Sequence, residues 1–168
     1  MRAAFYFGIL FATVLFLWYS LEYALGLHGP YVGYHEYVSY FFAAPVVLIM
    51  VAAIRYRKTR LAKERSARFL PLFSFGVLVS LVAAVAVAPA MYVFATWVNP
   101  GFLDALSSHA VQAGKMDAAT AARRFAMDSF LVRHAALIFI VDSVAALAIA
   151  IILSGRRAHP DVQNSWTT

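Results

Sequence analysis

Four long apolar segments constrain the fold of this chain more than any other feature of its sequence. A helix needs about 20 apolar residues to cross a bilayer, and these segments are apolar throughout rather than alternating, so helices are the form in which they span. Of the 168 residues, 63% are hydrophobic, against about 45–50% in soluble domains. We therefore predict an all-α integral membrane four-helix bundle over residues 1–155 and a short polar cytoplasmic tail over 156–168. The predicted spans cover about residues 3–25, 37–54, 70–98 and 135–153. The first segment is too long for the apolar region of a signal peptide and lacks a small-residue cleavage site, so we expect it to remain as a span.

The loop between the second and third segments is strongly basic, and it predicts the orientation. Basic loops of this kind stay in the cytoplasm, which also places both termini there. We expect the loop to enforce this topology and to contact anionic lipid head groups, with recruitment of a cytoplasmic partner as the alternative. Nucleic acid is not expected, because the basic residues lie at the ends of apolar segments. The predicted lipid contacts are Arg55, Arg57, Lys58, Arg60, Lys63, Arg65 and Arg68.

Two connections face the outside in this topology. Gly26–Glu36 is rich in Gly, His and Tyr and predicts a turn, and the surrounding tyrosines favour an aromatic belt at the head-group level. Asn99-Pro100 predicts a helix start. One side of that helix is apolar, which predicts an extracytoplasmic amphipathic segment on the membrane surface, between spans three and four. The apolar side consists of Phe102, Leu103, Leu106 and Ala110.

The rest of the second connection predicts one long helix. Gly114 ends the amphipathic helix, and Asp117 can cap the next one. From there to Ser154 the sequence contains neither Gly nor Pro. We expect this helix to continue into the fourth span, with Arg124 and Asp128 paired one turn apart.

Four residues in the outer half of the spans form the candidate intramembrane polar site. An Asp at a span centre costs roughly 2.5–3.5 kcal/mol on insertion scales, so Asp142 should face the bundle, with a partner or in its neutral form. Glu22 lies nearer the outer end of the first span. Pro45 and Pro89 each free a carbonyl one turn earlier, and broken helices beside a buried acid form ion sites in transporters. The alternative is structural, with Asp142 joining helices by a hydrogen bond and the prolines merely kinking their helices.

Small residues recur at every fourth position in three of the segments, which predicts where helices contact each other closely. The fourth-segment stripe lies below Asp142 on the same helix face and predicts that this carboxyl points inward. The stripes are Ala4, Gly8 and Ala12; Gly76, Ser80, Ala84 and Ala88; and Ala146, Ala150 and Ser154.

The sequence carries no recognisable catalytic or metal-binding motif. There is no Cys, which excludes thiolate chemistry and cysteine-ligated metals. The histidines lack zinc-type spacing, and Glu36 beside His35 is not part of an HExxH motif. No metal, cofactor or catalytic residue is therefore expected. A phosphate-binding loop and a nucleophile elbow are missing too, so an enzymatic function lacks support.

Several short stretches resemble those of a known family. They are Trp18-Tyr-Ser-Leu-Glu-Tyr23, the Gly/His/Tyr-rich loop after it, Phe75-Gly76, and Asn99-Pro-Gly-Phe-Leu-Asp104. Over about residues 3–155 the chain resembles small bacterial four-span membrane proteins known as domain of unknown function family 4199. The resemblance implies a four-helix protein of the bacterial inner membrane and implies no catalytic residue.

The function favoured by the sequence is a non-enzymatic accessory or scaffold protein, or one that forms a homo-oligomer or binds a membrane protein partner. The alternative is a small transporter or channel with a proton or cation site around Asp142. A lipid-active enzyme is the third class, and it requires the outer His and carboxylate groups to meet at one interface. Those groups are Glu22, His28, His35, Glu36 and His134.

Overall fold

The computed structural model describes residues 1–29, 31–63 and 68–154, apart from the side chains of residues 36, 62 and 63. Within these ranges the chain is helical and has no β-strand, which confirms the predicted all-α class. The predicted tail, 156–168, lies outside the described residues. The elements are α1 (Arg2–Ala24), α2 (Val32–Ser39), a 3-10 turn (Tyr40–Phe42), α3 (Ala43–Lys63), α4 (Phe69–Val93), a π turn (Phe94–Val98), α5 (Phe102–Gln112), α6 (Ala118–Arg124) and α7 (Met127–Ser154).

Four helices in the described ranges are long and apolar enough to cross a membrane, which confirms the predicted number of spans. The spans are Arg2–Ala24, Val32–Leu61, Phe69–Val98 and Met127–Ser154. The second and fourth spans begin earlier than the predicted residues 37 and 135. The second does so because α2 continues through the 3-10 turn into α3. The predicted turn over Gly26–Glu36 is therefore correct only for its first half. Helix α2 packs against α5, and a contact so distant in the chain leaves no local pattern in the sequence.

Close helix packing centres on α4, which packs most extensively against α7 and α1. The predicted small-residue stripes lie at these contacts. A Cβ atom at Gly8 would come within 2.5 Å of Cγ1 of Val82, and one at Gly76 within 2.5 Å of Cβ of Ala146. The glycines therefore let the helix backbones approach to a distance that any larger residue would prevent. Asp142 lies on the face of α7 that also carries Ala146, and its side chain is buried as predicted.

The two ends of the bundle differ. At the basic end, α3 carries Arg55, and Arg68 is the N-cap residue of α4. At the capped end, α5 and α6 cover the bundle, and Phe102 in the first turn of α5 is fully buried against Tyr19 and Phe94. The apolar face of α5 thus packs on the protein itself rather than lying free for a membrane surface. The helix begins at Phe102 with Gly101 as its N-cap, two residues later than the Asn99-Pro100 start that the sequence predicted.

The connection between α5 and α6 follows the sequence prediction. Gly114 ends α5 with a positive φ of 66°, a backbone conformation that non-glycine residues adopt only at a steric cost. Asp117 caps α6 by accepting a hydrogen bond of 2.9 Å from the N–H of Thr120. That bond and one from the Thr120 hydroxyl lower the pKa of the Asp117 carboxyl. The cap therefore contributes stability above the ordinary pKa of Asp and loses it only as pH falls through the lowered value.

The prediction of one unbroken helix up to Ser154 is wrong. The chain leaves the helical path after Arg124, because α6 folds onto the capped end with Ala121 fully buried. Nη1 of Arg133 donates a hydrogen bond of 2.9 Å to the Arg124 carbonyl that the break exposes. The predicted Arg124–Asp128 pair is not formed, since Asp128 accepts from the N–H of the next residue at 2.7 Å instead.

Both prolines lie where the helical hydrogen-bond pattern changes. Pro89 is inside α4, and the π turn Phe94–Val98 follows it. Pro45 is in the first turn of α3, directly after the 3-10 turn Tyr40–Phe42. A proline removes one bond from the helical ladder, and local 3-10 or π geometry re-pairs the neighbouring groups.

Candidate functional site

A cluster of Glu22, His28 and His35 lies at the capped end of the bundle. Glu22 is on the last turn of α1, and Gly26, with a φ of 76°, reverses the chain after that helix. His28 belongs to this turn, where the N–H of Leu27 bonds the Glu22 carbonyl at 3.0 Å. His35 follows on α2. Three consecutive pieces of chain therefore converge on one point.

The carboxylate of Glu22 is the centre of the cluster. Its Oε2 lies 3.3 Å from Nε2 of His28 and 3.1 Å from Nδ1 of His35. Its Oε1 accepts hydrogen bonds of 2.7 Å from Nε1 of Trp18 and 3.0 Å from Oγ of Ser39. The Glu22 carboxylate is only 1% exposed, and each of its two oxygens has two polar neighbours. A buried charged group requires such partners.

Aromatic rings enclose the cluster and fix the two imidazoles. The ring centroid of Tyr19 lies 5.9 Å from those of both His28 and His35. Phe102 lies 4.7 Å from His28, and Phe94 lies 5.6 Å from it. Side chains held on several sides by rings lose few rotamers when they bind a ligand, so the cluster is preorganised. Nδ1 of His28 is buried and has no hydrogen-bond partner among the described residues.

A groove of about 580 Å³ lies next to the cluster, between the second and fourth spans. Its walls are mostly apolar, and α1 contributes Leu15, Trp18 and Tyr19 to its lining. The rim includes Val47, Leu137 and Val141, which are 44–55% exposed on the surface of the bundle. Because these residues belong to helices of membrane-spanning length, the groove opens sideways, where lipid chains would surround the bundle.

Asp142 is buried in the wall of this groove. The residue is 1% exposed, yet neither carboxyl oxygen has a hydrogen-bond partner among the described residues. Nε2 of His134, which also lines the groove, lacks a partner as well. Buried polar groups in proteins are almost always hydrogen-bonded, so two such side chains, with three unpartnered atoms in one cavity wall, call for an explanation.

The structure brings together only some of the candidate site residues that were predicted from the sequence. Glu22 and Asp142 belong to two neighbouring features, the cluster and the groove, and His35 borders both. Pro45 and Pro89 line neither of them. Of the outer groups considered for a lipid-active enzyme, three converge in the cluster, while His134 stacks on Phe130 and the side chain of Glu36 lies outside the described part.

The contacts of His28 and His35 with Glu22 have no counterpart among the sequence-based predictions. Their spacing of six and thirteen residues from Glu22 matches no metal or catalytic motif. The signal that could have indicated it is Gly26, because a left-handed residue directly after a helix folds the following chain back over the helix end.

At the basic end, several of the predicted lipid-contacting residues also contact the protein. Arg57 lies over the Phe75 ring at 5.9 Å, and Nζ of Lys58 donates a hydrogen bond to the carbonyl of Leu153 at the end of α7. Arg60 lies over the Tyr56 ring, its own neighbour one turn earlier, at 5.3 Å. Arg55 and Arg68 are exposed. Arg65 and the Lys63 side chain lie outside the described residues.

Four apolar spanning helices, with a buried polar cluster and a lateral groove near one end, define a multi-pass membrane protein. The profile of a family described as "Protein of unknown function (DUF4199)" matches residues 6–155, so the chain belongs to that family. No curated protein and no solved structure matches the chain.

Proposed function

We propose that this chain is a non-enzymatic membrane protein that binds a membrane-soluble small molecule in the groove between its second and fourth spans. The observation that carries the proposal is the buried, unpartnered carboxyl of Asp142 in the groove wall. The volume of about 580 Å³ lies within the range of about 300–1,000 Å³ typical of small-molecule sites. Such sites combine apolar walls with a few polar groups that orient the ligand.

The groove also indicates the chemistry of its ligand. Its mouth lies among side chains that are exposed on the spans, so the ligand enters from the bilayer and is mostly apolar. A rotation of the buried Asp142 side chain toward the groove would let a hydroxyl or amine group on that ligand donate the hydrogen bond that the carboxyl lacks. Nε2 of His134 offers a second polar contact in the same wall.

The test is the ligand content of the purified protein. We expect mass spectrometry of organic extracts to find an amphiphilic molecule with the native chain and a severalfold smaller amount with Asp142→Leu. Val144→Leu is the matched control, because Val144 is two residues away and 61% exposed on the outer face of α7. Asp142→Leu should also leave the thermal midpoint unchanged or higher, since it removes an unpartnered polar group from an apolar site. Equal ligand content in Asp142→Leu and the native chain would contradict the proposal.

A small transporter with a proton or cation site at Asp142 is the second candidate. The same unpartnered carboxyl favours it. In the structure, however, residues below the groove close the basic half of the bundle, and Ala53, Ile54 and Ala146 are fully buried there. Transport would need this core to open, whereas ligand binding would not. Proton or cation flux into proteoliposomes should fall severalfold in Asp142→Asn if the transporter function is correct, and equal flux would exclude it.

A scaffold or self-associating function receives less support from the packing. Small-residue stripes often join separate chains in membranes, but here Gly8 and Gly76 contact Val82 and Ala146 of the same chain. The stripes are therefore occupied within one molecule. An accessory role, in which the bound molecule is passed to a membrane protein partner, stays compatible with the groove.

For location we propose a bacterial inner membrane, with the basic end and both termini in the cytoplasm. The excess of Lys and Arg between the second and third spans supports this orientation. At the basic end a cavity of about 750 Å³ is bordered by Arg2, Arg57 and Arg60. Three guanidinium groups around one cavity match the phosphate of an anionic lipid, which we propose as the contact there.

A further inference from the structure

We propose that Glu22, His28 and His35 bind a divalent transition-metal cation of the zinc type. This site is separate from the ligand proposed for the groove and does not depend on it. Among the described residues it is the one group of three His, Cys, Asp or Glu side chains whose ligand atoms all lie within 4.8 Å of one another.

The distances in the cluster suit tetrahedral coordination. Metal–ligand bonds of 2.0–2.1 Å place neighbouring ligand atoms about 3.3 Å apart around a tetrahedral ion. Oε2 of Glu22 lies 3.3 Å from the ligand nitrogen of His28 and 3.1 Å from that of His35. Two of the three edges therefore already have about the required length. The third, between the two ligand nitrogens, is no longer than 4.8 Å, and binding of an ion would have to shorten it to about 3.3 Å if it is longer.

The hydrogen bonds that Glu22 accepts from its neighbours leave its other carboxylate oxygen available to a metal ion. Oε1 is held by Trp18 and Ser39, so Oε2 is the oxygen that faces both imidazoles. Hydrogen-bonding partners of this kind orient metal ligands and are needed for full affinity. One negative carboxylate and two neutral imidazoles also form a common zinc ligand set, with the carboxylate offsetting part of the charge of the ion.

The ligand set selects the class of ion. Imidazole nitrogen suits Zn²⁺, Cu²⁺, Ni²⁺ and Fe²⁺, whereas Mg²⁺ and Ca²⁺ require mostly oxygen ligands. Three protein ligands leave a fourth tetrahedral position for water or another molecule. His35, whose side chain is 12% exposed, borders a cavity of about 240 Å³ under α5. Of the three proposed ligands His35 alone lines that cavity, whose volume exceeds the roughly 30 Å³ that one water occupies in the liquid.

The test uses Co²⁺ and Zn²⁺ with the tag-free native protein in detergent. We expect one ion per chain, and for Co²⁺ the intense visible absorption of a tetrahedral site. His28→Ala and His35→Ala should each weaken binding by more than about tenfold, since even outer partners of a metal site contribute about that much. His109→Ala is the matched control, because His109 borders the same 240 Å³ cavity but does not belong to the cluster.

The results of this test distinguish metal binding at the Glu22 cluster from metal binding elsewhere at the capped end. Absence of ion uptake by the native chain would overturn the proposal, and this arm holds even if a variant fails to fold. An equal loss in His109→Ala and His35→Ala would overturn it too, because the ion would then be bound elsewhere at the capped end. Ser39→Ala, which keeps all three ligands, should weaken binding less than His35→Ala.

Discussion

Glu22→Ala is expected to destabilise the folded protein by about 3–5 kcal/mol, the usual cost of removing one member of a buried polar or ionic network. Four side chains lose their acceptor at once, and two of them, Trp18 and Ser39, donate to it through hydrogen bonds of 2.7 and 3.0 Å. The cluster is enclosed by aromatic rings, so water cannot readily replace the lost carboxylate. Reversible unfolding in mixed micelles, followed by circular dichroism, measures the effect.

Asp104→Asn is the control for this substitution. Asp104 is an exposed carboxylate in the first turn of α5 at the same end of the molecule. Its replacement should change the free energy of unfolding by no more than about 1 kcal/mol, the largest value typical of an exposed interaction with the helix dipole. If Glu22→Ala costs no more than Asp104→Asn, the cluster does not stabilise the fold in the way that its geometry indicates.

Gly76→Ala is expected to destabilise the bundle by about 1–3 kcal/mol, although alanine is normally the better helix former. The added methyl would lie 2.5 Å from Cβ of Ala146 and 3.3 Å from Cδ1 of Ile54. Helices α4 and α7, which share the most extensive contact in the molecule, would have to move apart. Gly33→Ala is the control, because its new methyl would meet only Cε1 of His109 at an ordinary 3.6 Å.

A second substitution at the contact between α4 and α7 should restore stability that Gly76→Ala loses. In the double variant Gly76→Ala with Ala146→Gly, the methyl group moves from one helix to the other and the clash disappears. We expect this variant to be more stable than Gly76→Ala alone, with a coupling energy of about 1 kcal/mol or more. Additive effects of the two substitutions would contradict the helix contact described for α4 and α7.

The membrane class, the four spans and the faces that pack could be predicted from the sequence because each depends on a local pattern. Apolar length gives the spans, and Gly or Ala at every fourth position gives the contacts, as at Gly8 and Gly76. Local caps were equally visible, as Asp117 and Gly114 confirm.

What the sequence did not predict depends on contacts between distant residues. The break after α6 follows from burial of Ala121 at the capped end, and no Gly or Pro marks it. The Glu22 cluster requires a left-handed turn at Gly26 together with a helix that begins at Val32. The groove is lined by residues of α1, the second span and α7, which lie far apart in the sequence and form no local pattern. Asp142 was predicted as a candidate, but its cavity was not.

His35 lies in both the Glu22 cluster and the wall of the groove. Its imidazole cannot change orientation for one occupant without changing the surface offered to the other. An ion at the cluster and a molecule in the groove would therefore be linked thermodynamically, and each would alter the affinity of the other by the same factor. A binding constant measured at one site therefore applies only to a stated occupancy of the other site. The factor by which each ligand changes the affinity of the other measures the coupling between the two sites.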